Sequence, residues 1–473
     1  MIRARFAPSP TGYLHIGSAR TFIFNWLYVR KHQGTMILRI DDTDVDRNTE
    51  VALNSIYEGL NWLGLGWDEV YRQSERLDLH RKLAYDLLAN GFAYRDFTPA
   101  TPDLEDKPHT EGRWLCNPQM QALSNEESDA RAAAGEPFVI RFRVPRDPPR
   151  EVAFHDEVYG PQSRLTADIE DFALLRSNGS PTYHLASCAD DIDLKITHII
   201  RGQDYLSNAF KHVLIFQAAS ERLPRFAHLP LLIAPDGSKL SKRKHGPAVS
   251  VTTYRDNGFL ALAYINFLCL LGWSPKDNRE QMNFLELTNA FSLEGVHRSN
   301  AVVNFSDTDP IDPKALWLNS QHLRSMPVQT LAPLVRRSLE EHGLAPYGDE
   351  AFFEHVVDTI RVRFSTLLDF STKGRAYFSD DYEIETEALE KLDAPGAREM
   401  LRELAGRIEA NPQFTESTVQ AELANLAEER GVDGGVLMYA SRAALTGQSV
   451  GPSALAVFTC IGRQRVIQRL RRV

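Results

Sequence analysis

Two clusters of residues, far apart in the chain, carry the types and spacing that could do chemistry together. The first is Phe6-Ala-Pro-Ser-Pro-Thr-Gly-Tyr-Leu-His-Ile-Gly-Ser18 and the second is Lys239-Leu-Ser-Lys-Arg243. The first follows a short apolar run, Ile2 to Phe6, and leads into a helical pattern, Ala19 to Arg30, which puts His15 and Gly17 at a strand-to-helix turn. Such a turn binds phosphate: the helix start offers backbone N–H groups and the positive end of the macrodipole, and a glycine admits a nucleotide close to the backbone. The second cluster supplies cations. Lys239, Lys242, Arg243 and Lys244 follow the turn signal Pro235-Asp236-Gly237, in a loop able to close over a triphosphate.

Positioning such groups takes a parallel sheet. Residues 2–7 and 35–40 read as strands flanking a helix over 18–31, a βαβ unit without G-x-G-x-x-G, so no dinucleotide cofactor is suggested. Residues 50–93 show helical spacing through Ile56, Leu60, Leu63, Leu83 and Leu87. Composition changes at Phe97-Thr-Pro-Ala, where a small α+β insert is expected, with a helix over 124–135 and a strand over 138–144. The sheet resumes at Ile196-Thr-His-Ile-Ile200, which sets Arg201 at the carboxyl edge of a strand, where open α/β sheets bind ligands. Beyond about residue 250 amphipathic helices take over, among them Phe353–Phe370, after a loop over 306–313. The terminal Arg463, Arg465, Arg469, Arg471 and Arg472 have no acid near them in sequence and read as a solvated helix face or a phosphate contact.

Composition sets limits on function. A chain of 473 residues with 43% hydrophobic content is expected to hold several domains, and a formal charge of −10 confines any nucleic-acid contact to local patches. Cys116, Cys188, Cys269 and Cys460 lie far apart with no C-x-x-C pair, which points to reduced thiols, no metal held by cysteines and no structural zinc. No leader and no apolar stretch long enough for a bilayer is evident, so no membrane partner and a cytoplasmic location are expected.

The two clusters resemble the HIGH and KMSKS signatures of class I aminoacyl-tRNA synthetases. Ala7-Pro-Ser-Pro-Thr-Gly12, Leu38-Arg-Ile-Asp-Asp-Thr-Asp44, Pro181-Thr-Tyr-His-Leu-Ala186, Ile200-Arg-Gly-Gln-Asp204 and Phe267-Leu-Cys-Leu-Leu-Gly-Trp273 are similar to the bacterial glutamyl-tRNA synthetases along essentially the whole chain. That resemblance implies a Rossmann-type α/β catalytic domain with an α+β insertion, followed by an all-α anticodon-binding region. Its parts would be a first catalytic half at 1–95, an acceptor-end insertion at 96–183, a second half at 184–248, a stem-contact region at 249–330 and the helical region at 331–473. It also implies ATP with Mg2+, L-glutamate and tRNA-Glu as partners, tRNA-Gln remaining open, a monomer, and activation that waits for bound tRNA.

Matching motifs then imply roles. His15, Lys239 and Lys242 would be catalytic, stabilising phosphate charge without a covalent intermediate, and Gly17, Ser18, Ser241 and Arg243 would join them around ATP. Arg5, Ala7, Ser9, Asp41, Tyr183, Ser187 and Arg201 would line the glutamate pocket, with arginine forks on the carboxylates and Asp41 on the amine. The alternative for Arg5 and Arg201 is a structural ion pair with Asp41 or Asp42. Arg361 and Arg363 would meet the anticodon, or stand as ordinary surface arginines. Three positions depart from the bacterial pattern: Asp41 for the usual Glu, Ser187 for Asn, and Gln203 for Glu. Aspartate at 41 is similar to glutaminyl-tRNA synthetases, yet those carry a different N-terminal motif and end in β-barrels, whereas this tail reads as helical.

Overall fold

The computed structural model describes residues 1–10, 12–43, 48–99, 115–306 and 308–473, with Lys242 described by its backbone alone. The chain forms two compact units, residues 1–253 with 265–310, and residues 254–264 with 311–473.

The first unit is built on a seven-stranded sheet. Strand β1 (Arg3–Phe6), helix α1 (Ile16–Lys31) and strand β2 (Thr35–Ile40) make the expected parallel βαβ unit, with Arg5 opposite Ile37. Helix α1 starts two residues earlier than the pattern suggested, because His15 is its N-cap and accepts the Gly17 N–H at Nδ1, 3.0 Å away. The helical spacing over 50–93 divides into α2 (Glu50–Leu63) and α3 (Leu77–Ala89), with strand β3 (Glu69–Arg72) between them pairing with β2 at one sheet edge. Gly64, in the left-handed region at φ 68°, ends α2 and turns the chain toward that strand.

The insert also differs from expectation. Strands β4 (Ala93–Asp96) and β5 (Val139–Phe142), separated in the chain by helices α4 (Pro118–Gln121) and α5 (Asn125–Ala133), belong to a small antiparallel sheet completed by a later strand. The hairpin β6 (Glu151–Asp156) and β7 (Gly160–Leu165) leaves that sheet and extends the main one, so the main sheet resumes well before residue 196. Strand β8 (Phe172–Leu175) then closes the insert, and helix α6 (Tyr183–Asp193) leads into β9 (His198–Gly202), α7 (Leu206–Ala218) and β10 (Arg225–Leu229). The resulting order, β3-β2-β1-β9-β10-β6-β7, reverses direction between β1 and β9. A crevice forms at such a reversal, outside the carboxyl ends of the strands.

The second unit is helical throughout its described residues, with a core that includes Leu331, Val357, Leu401, Leu437 and Phe458. The helix expected over 353–370 stops at Ile360, and Arg361–Arg363 form a single 3-10 turn. Asp369 explains the break: its Oδ2 accepts the Ser365 and Thr366 N–H groups at 2.7 and 3.0 Å, which pulls that backbone out of the helix. The terminal arginines are not a purely solvated face either. Arg465 and Arg469 pair with Asp380 at 2.8 and 2.7 Å, and Arg471 pairs with Glu409.

Candidate active site

A cleft of about 440 Å3 opens at the carboxyl ends of β1, β2, β9 and β10. It brings together ten residues singled out in the sequence: Arg5, Ala7, Ser9, Asp41, Tyr183 and Arg201 on the amino-acid side, and His15, Gly17, Ser18 and Lys239 on the phosphate side.

On the phosphate side, the cap fixes the chemistry of His15. A ring whose Nδ1 accepts a hydrogen bond carries its proton on Nε2, so the imidazole is a donor at that atom. The Gly17 N–H, expected as a phosphate donor, is the hydrogen this cap uses. Lys239 is held by Asp204, Nζ to Oδ2 at 2.8 Å, and Gly202 makes that placement possible, since a Cβ there would fall 2.5 Å from Asp204 Oδ1. Lys244 pairs with Asp236 at 2.5 Å, while Ser241 and Arg243 are exposed and do not line the cleft. The side chain of Lys242 lies outside the described residues.

On the amino-acid side the charges are tightly organised. Arg5 Nε and Arg39 Nη1 both reach Asp191 Oδ1, at 2.9 and 2.8 Å, and Arg39 also grips Asp41 in bidentate fashion at 2.7 and 3.1 Å. Burial works against the Arg39 charge, yet Asp41, Asp191 and Asp190 outweigh it and hold the guanidinium well above its ordinary value. Arg5 is thus ion-paired, with Asp191 rather than with Asp41 or Asp42. Behind this layer Asp190 takes Gln73, Arg76 and His80 at 2.8, 2.8 and 2.9 Å, which anchors α6 to α3 and its preceding turn.

Arg201 stands apart. It is buried, and among the described residues no carboxylate pairs with it; its Nε meets His228, its Nη1 the Tyr183 oxygen at 3.1 Å and its Nη2 the Tyr205 carbonyl at 3.2 Å. Burial pulls its guanidinium below the ordinary value, as expected for a cation held in low dielectric without a counter-ion. Tyr183 accepts from Arg201 and keeps its own O–H as a donor, with burial raising its pKa so that it stays protonated. The neighbouring imidazoles stay neutral. His184 is pushed down to about 3 by burial together with Lys211 and Arg201, and His212 falls well below its ordinary value for the same first reason.

Sequence reasoning missed Arg39, Asp191, Tyr205 and His228. A signal existed for the first, because Arg39 near the end of β2 and Asp41 just beyond it are two apart in sequence, a spacing that puts side chains on one side of an extended chain. Ser187, expected in the pocket, is buried away from the cleft lining, its Oγ without a hydrogen-bond partner. Arg361 and Arg363 lie in the second unit. The Arg361 guanidinium is occupied by the carbonyls of Leu323 and Met326 and by Asp358 at 2.6 Å, whereas Arg363 is exposed. The four cysteines are free thiols, three of them buried.

Residues 1–310 match the model for the catalytic domain of class I tRNA synthetases of the E and Q type, and residues 330–473 match an anticodon-binding domain. A glutamate–tRNA ligase of Solibacter usitatus is 52% identical, covering 99% of this chain and 98% of that protein, and glutamate–tRNA ligase 2 of Koribacter versatilis is 44% identical over the full chain and 97% of that protein. The crystal structure of a glutamate tRNA ligase from Elizabethkingia meningosepticum, in complex with its amino acid, superposes with a TM-score of 0.85 at 32% identity, covering 100% of this chain and 98% of that one. The chain belongs to the glutamate–tRNA ligases, within the class I aminoacyl-tRNA synthetases.

The His15 cap yields a separable test. Asparagine at 15 can still cap Gly17 through its amide oxygen but has no donor at the Nε2 position. His15→Asn is expected to leave folding intact while lowering ATP–pyrophosphate exchange, with tRNA present, by about a hundredfold. An exchange rate within a few-fold of the parent would remove His15 from the phosphate site.

Proposed function

We propose that this chain activates L-glutamate with MgATP and transfers it to the 3′ end of tRNA-Glu. A glutamate α-carboxylate oxygen attacks the α-phosphorus, an O–P bond forms, and the bond to the β-phosphate oxygen breaks to release pyrophosphate. The terminal ribose hydroxyl of the tRNA then attacks the acyl carbon, and AMP leaves. No side chain acts as a nucleophile, so charge stabilisation carries the rate. His15 and Lys239, with Lys242 at the start of the short helix Lys242–His245 that replaces part of the expected loop, are the groups offered to the phosphates, and magnesium enters as part of the MgATP substrate, where it shields the triphosphate charge.

The observation that carries this reading is the buried Arg201, which has no carboxylate partner among the described residues. Among the described residues Asp41 and Asp191 meet Arg5 and Arg39 directly, and Asp190, 3.8 Å from Arg39, is matched by Arg76 at 2.8 Å, so Arg5, Arg39 and Arg201 keep one excess positive charge over Asp41 and Asp191. Glutamate, with two carboxylates and one ammonium, carries the complementary net charge; glutamine, which is neutral overall, does not. Asp41 lies in the cleft to receive the ammonium, and Arg5, Ser9, Tyr183 and Arg201 surround the acid groups.

For the RNA we assign 96–183 to the acceptor end, 249–330 to the stem and 331–473 to the anticodon, with 1–95 and 184–248 as the catalytic halves. Within the anticodon region Arg363 is the residue offered to a base, while Arg361 shapes the turn that presents it. No helix among the described residues is long and apolar enough to cross a membrane, and we infer a cytoplasmic monomer.

The test is aminoacylation of purified tRNA species with labelled glutamate, glutamine and aspartate. Charging with glutamate alone is expected on tRNA-Glu, and the tRNA-Gln arm reports whether that species is also a substrate. Absence of any charging would turn the protein into an RNA-binding module. Pyrophosphate exchange that is equally fast without tRNA would refute coupling of activation to bound RNA.

A further inference from the structure

Arg201 presents five N–H hydrogens, and the protein occupies three of them. Nη1 and Nη2 each donate one, to Tyr183 and to the Tyr205 carbonyl, and Nε donates its only one to His228 Nε2 at 3.1 Å. One hydrogen remains on each Nη, which is the fork a carboxylate accepts.

The Nε bond is the informative one. An imidazole nitrogen can accept from a guanidinium only when it bears a lone pair, so the ring proton of His228 must sit on Nδ1. It does so because Nδ1 lies 2.6 Å from Oδ2 of Asp156, a carboxylate buried as completely as the ring itself. Asp156 is fixed in turn, Oδ1 accepting the Val158 and Tyr159 N–H groups at 3.0 and 2.9 Å and Oδ2 lying 3.2 Å from the His228 N–H. Those bonds and His228 overcome the burial that opposes the charge, and they hold the carboxyl below its ordinary range.

The fold sets these three groups in line. Arg201 and His228 are register partners on β9 and β10, so both side chains leave the same face of the sheet, and Asp156 ends β6, the next strand, opposite Phe226. This places a function on the β6–β7 hairpin, which departs from the insert to join the main sheet.

We propose that Asp156 and His228 are positioning residues that lock the plane of the Arg201 guanidinium, and that this lock sets the affinity for the amino-acid carboxylate without either residue touching it. The proposal rests on the reading of Arg201 as the carboxylate grip.

The test measures KM for glutamate and for ATP in tRNA charging across a set of variants. Asparagine at 228 reaches only the Nδ1 position and leaves Arg201 Nε without an acceptor; glutamine reaches the Nε2 position and can accept there. His228→Asn is expected to raise KM for glutamate roughly tenfold with KM for ATP and kcat little changed, and His228→Gln to restore most of the loss. Asp156→Asn is expected to behave like His228→Asn, because the new amide donates to Nδ1 and drives the ring proton onto Nε2, facing the Arg201 donor. In an Arg201→Met background neither change should lower kcat/KM for glutamate further. If His228→Asn and Asp156→Asn leave KM for glutamate within about twofold while Arg201→Met raises it, the relay is refuted and the grip stands. If KM for ATP rises in parallel, or the losses add in the Arg201→Met background, the two residues are merely structural. Should Arg201→Met itself leave glutamate use intact, the reading of the pocket fails, and the relay with it.

Discussion

Replacement of Arg201 by methionine is expected to lower kcat/KM for glutamate by roughly a hundred- to a thousandfold, while the protein folds and binds ATP as before. The magnitude follows from what a carboxylate meets in the cleft. Truncating one partner of a buried, hydrogen-bonded charge pair costs about 3 to 4 kcal/mol, most of it because the other charge is left buried and unanswered. Here that other charge is on the ligand, so the loss falls on substrate use. Stability should change little or improve, because a buried guanidinium with no counter-ion is a burden to the free protein. Methionine keeps much of the volume and removes the charge. Lysine at 201 should rescue poorly: a point charge cannot hold His228, Tyr183 and the Tyr205 carbonyl while presenting a flat fork to the ligand. Glutamate kinetics that are nearly unchanged in Arg201→Met would place the acid groups of the substrate elsewhere.

Legibility from sequence tracked how local each interaction is. The strand, turn and helix from Arg3 to Lys31, with His15 at the turn, are written in adjacent residues, and so they could be read. The motif residues from β1, β2, β9 and the loop before Lys239 do meet in one cleft, because parallel strands with right-handed crossovers bring their carboxyl ends to one edge. What escaped was the pairing among charges. Asp41 looked like a bare anion for an amine, although Arg39, two residues before it, already grips it. Asp190 and Asp191 stand side by side on α6 and face different partners: Asp190 turns to His80 and Arg76, Asp191 to Arg5 and Arg39. Nothing near them in sequence names those partners.

The same limit governed the tail and the hairpin. Apolar spacing runs on from Phe353 through Phe370, and only the Asp369 carboxylate, capping N–H groups that precede it, shows why the helix ends at Ile360. Asp380, which answers Arg465 and Arg469, lies far from them along the chain. Strand β6 was not among the elements expected from sequence, and its place in the main sheet rests on a pairing between Asp156 and Phe226, far apart along the chain.

The largest stability effect is expected at Asp191. One oxygen of this carboxylate, Oδ1, serves Arg5 Nε and Arg39 Nη1 together, and the second oxygen lies 3.3 Å from Arg5 Nη2. Both arginines are nearly inaccessible to water, at 3% and 1% exposure, so neither can be hydrated when the anion is removed. Arg39 would retain Asp41, with Asp190 at 3.8 Å, but Arg5 would lose its only ion-pair partner among the described residues. Asp191→Ala is therefore expected to destabilise the unit formed by residues 1–253 and 265–310 by about 3–5 kcal/mol, read as the shift of its urea transition. Asparagine tests whether charge or geometry is at stake. Its amide oxygen can keep the two bonds made by Oδ1, while its nitrogen faces the Arg5 donor, so Asp191→Asn should fall between the parent and the alanine variant. With Asp190 still matched by Arg76, removing the acid raises the excess charge of the pocket from one to two, and discrimination between glutamate and neutral glutamine should then depend more steeply on salt. A transition unmoved in Asp191→Ala would mean that Arg5 finds another anion, and the charge count on which the preference for glutamate rests would have to be redrawn.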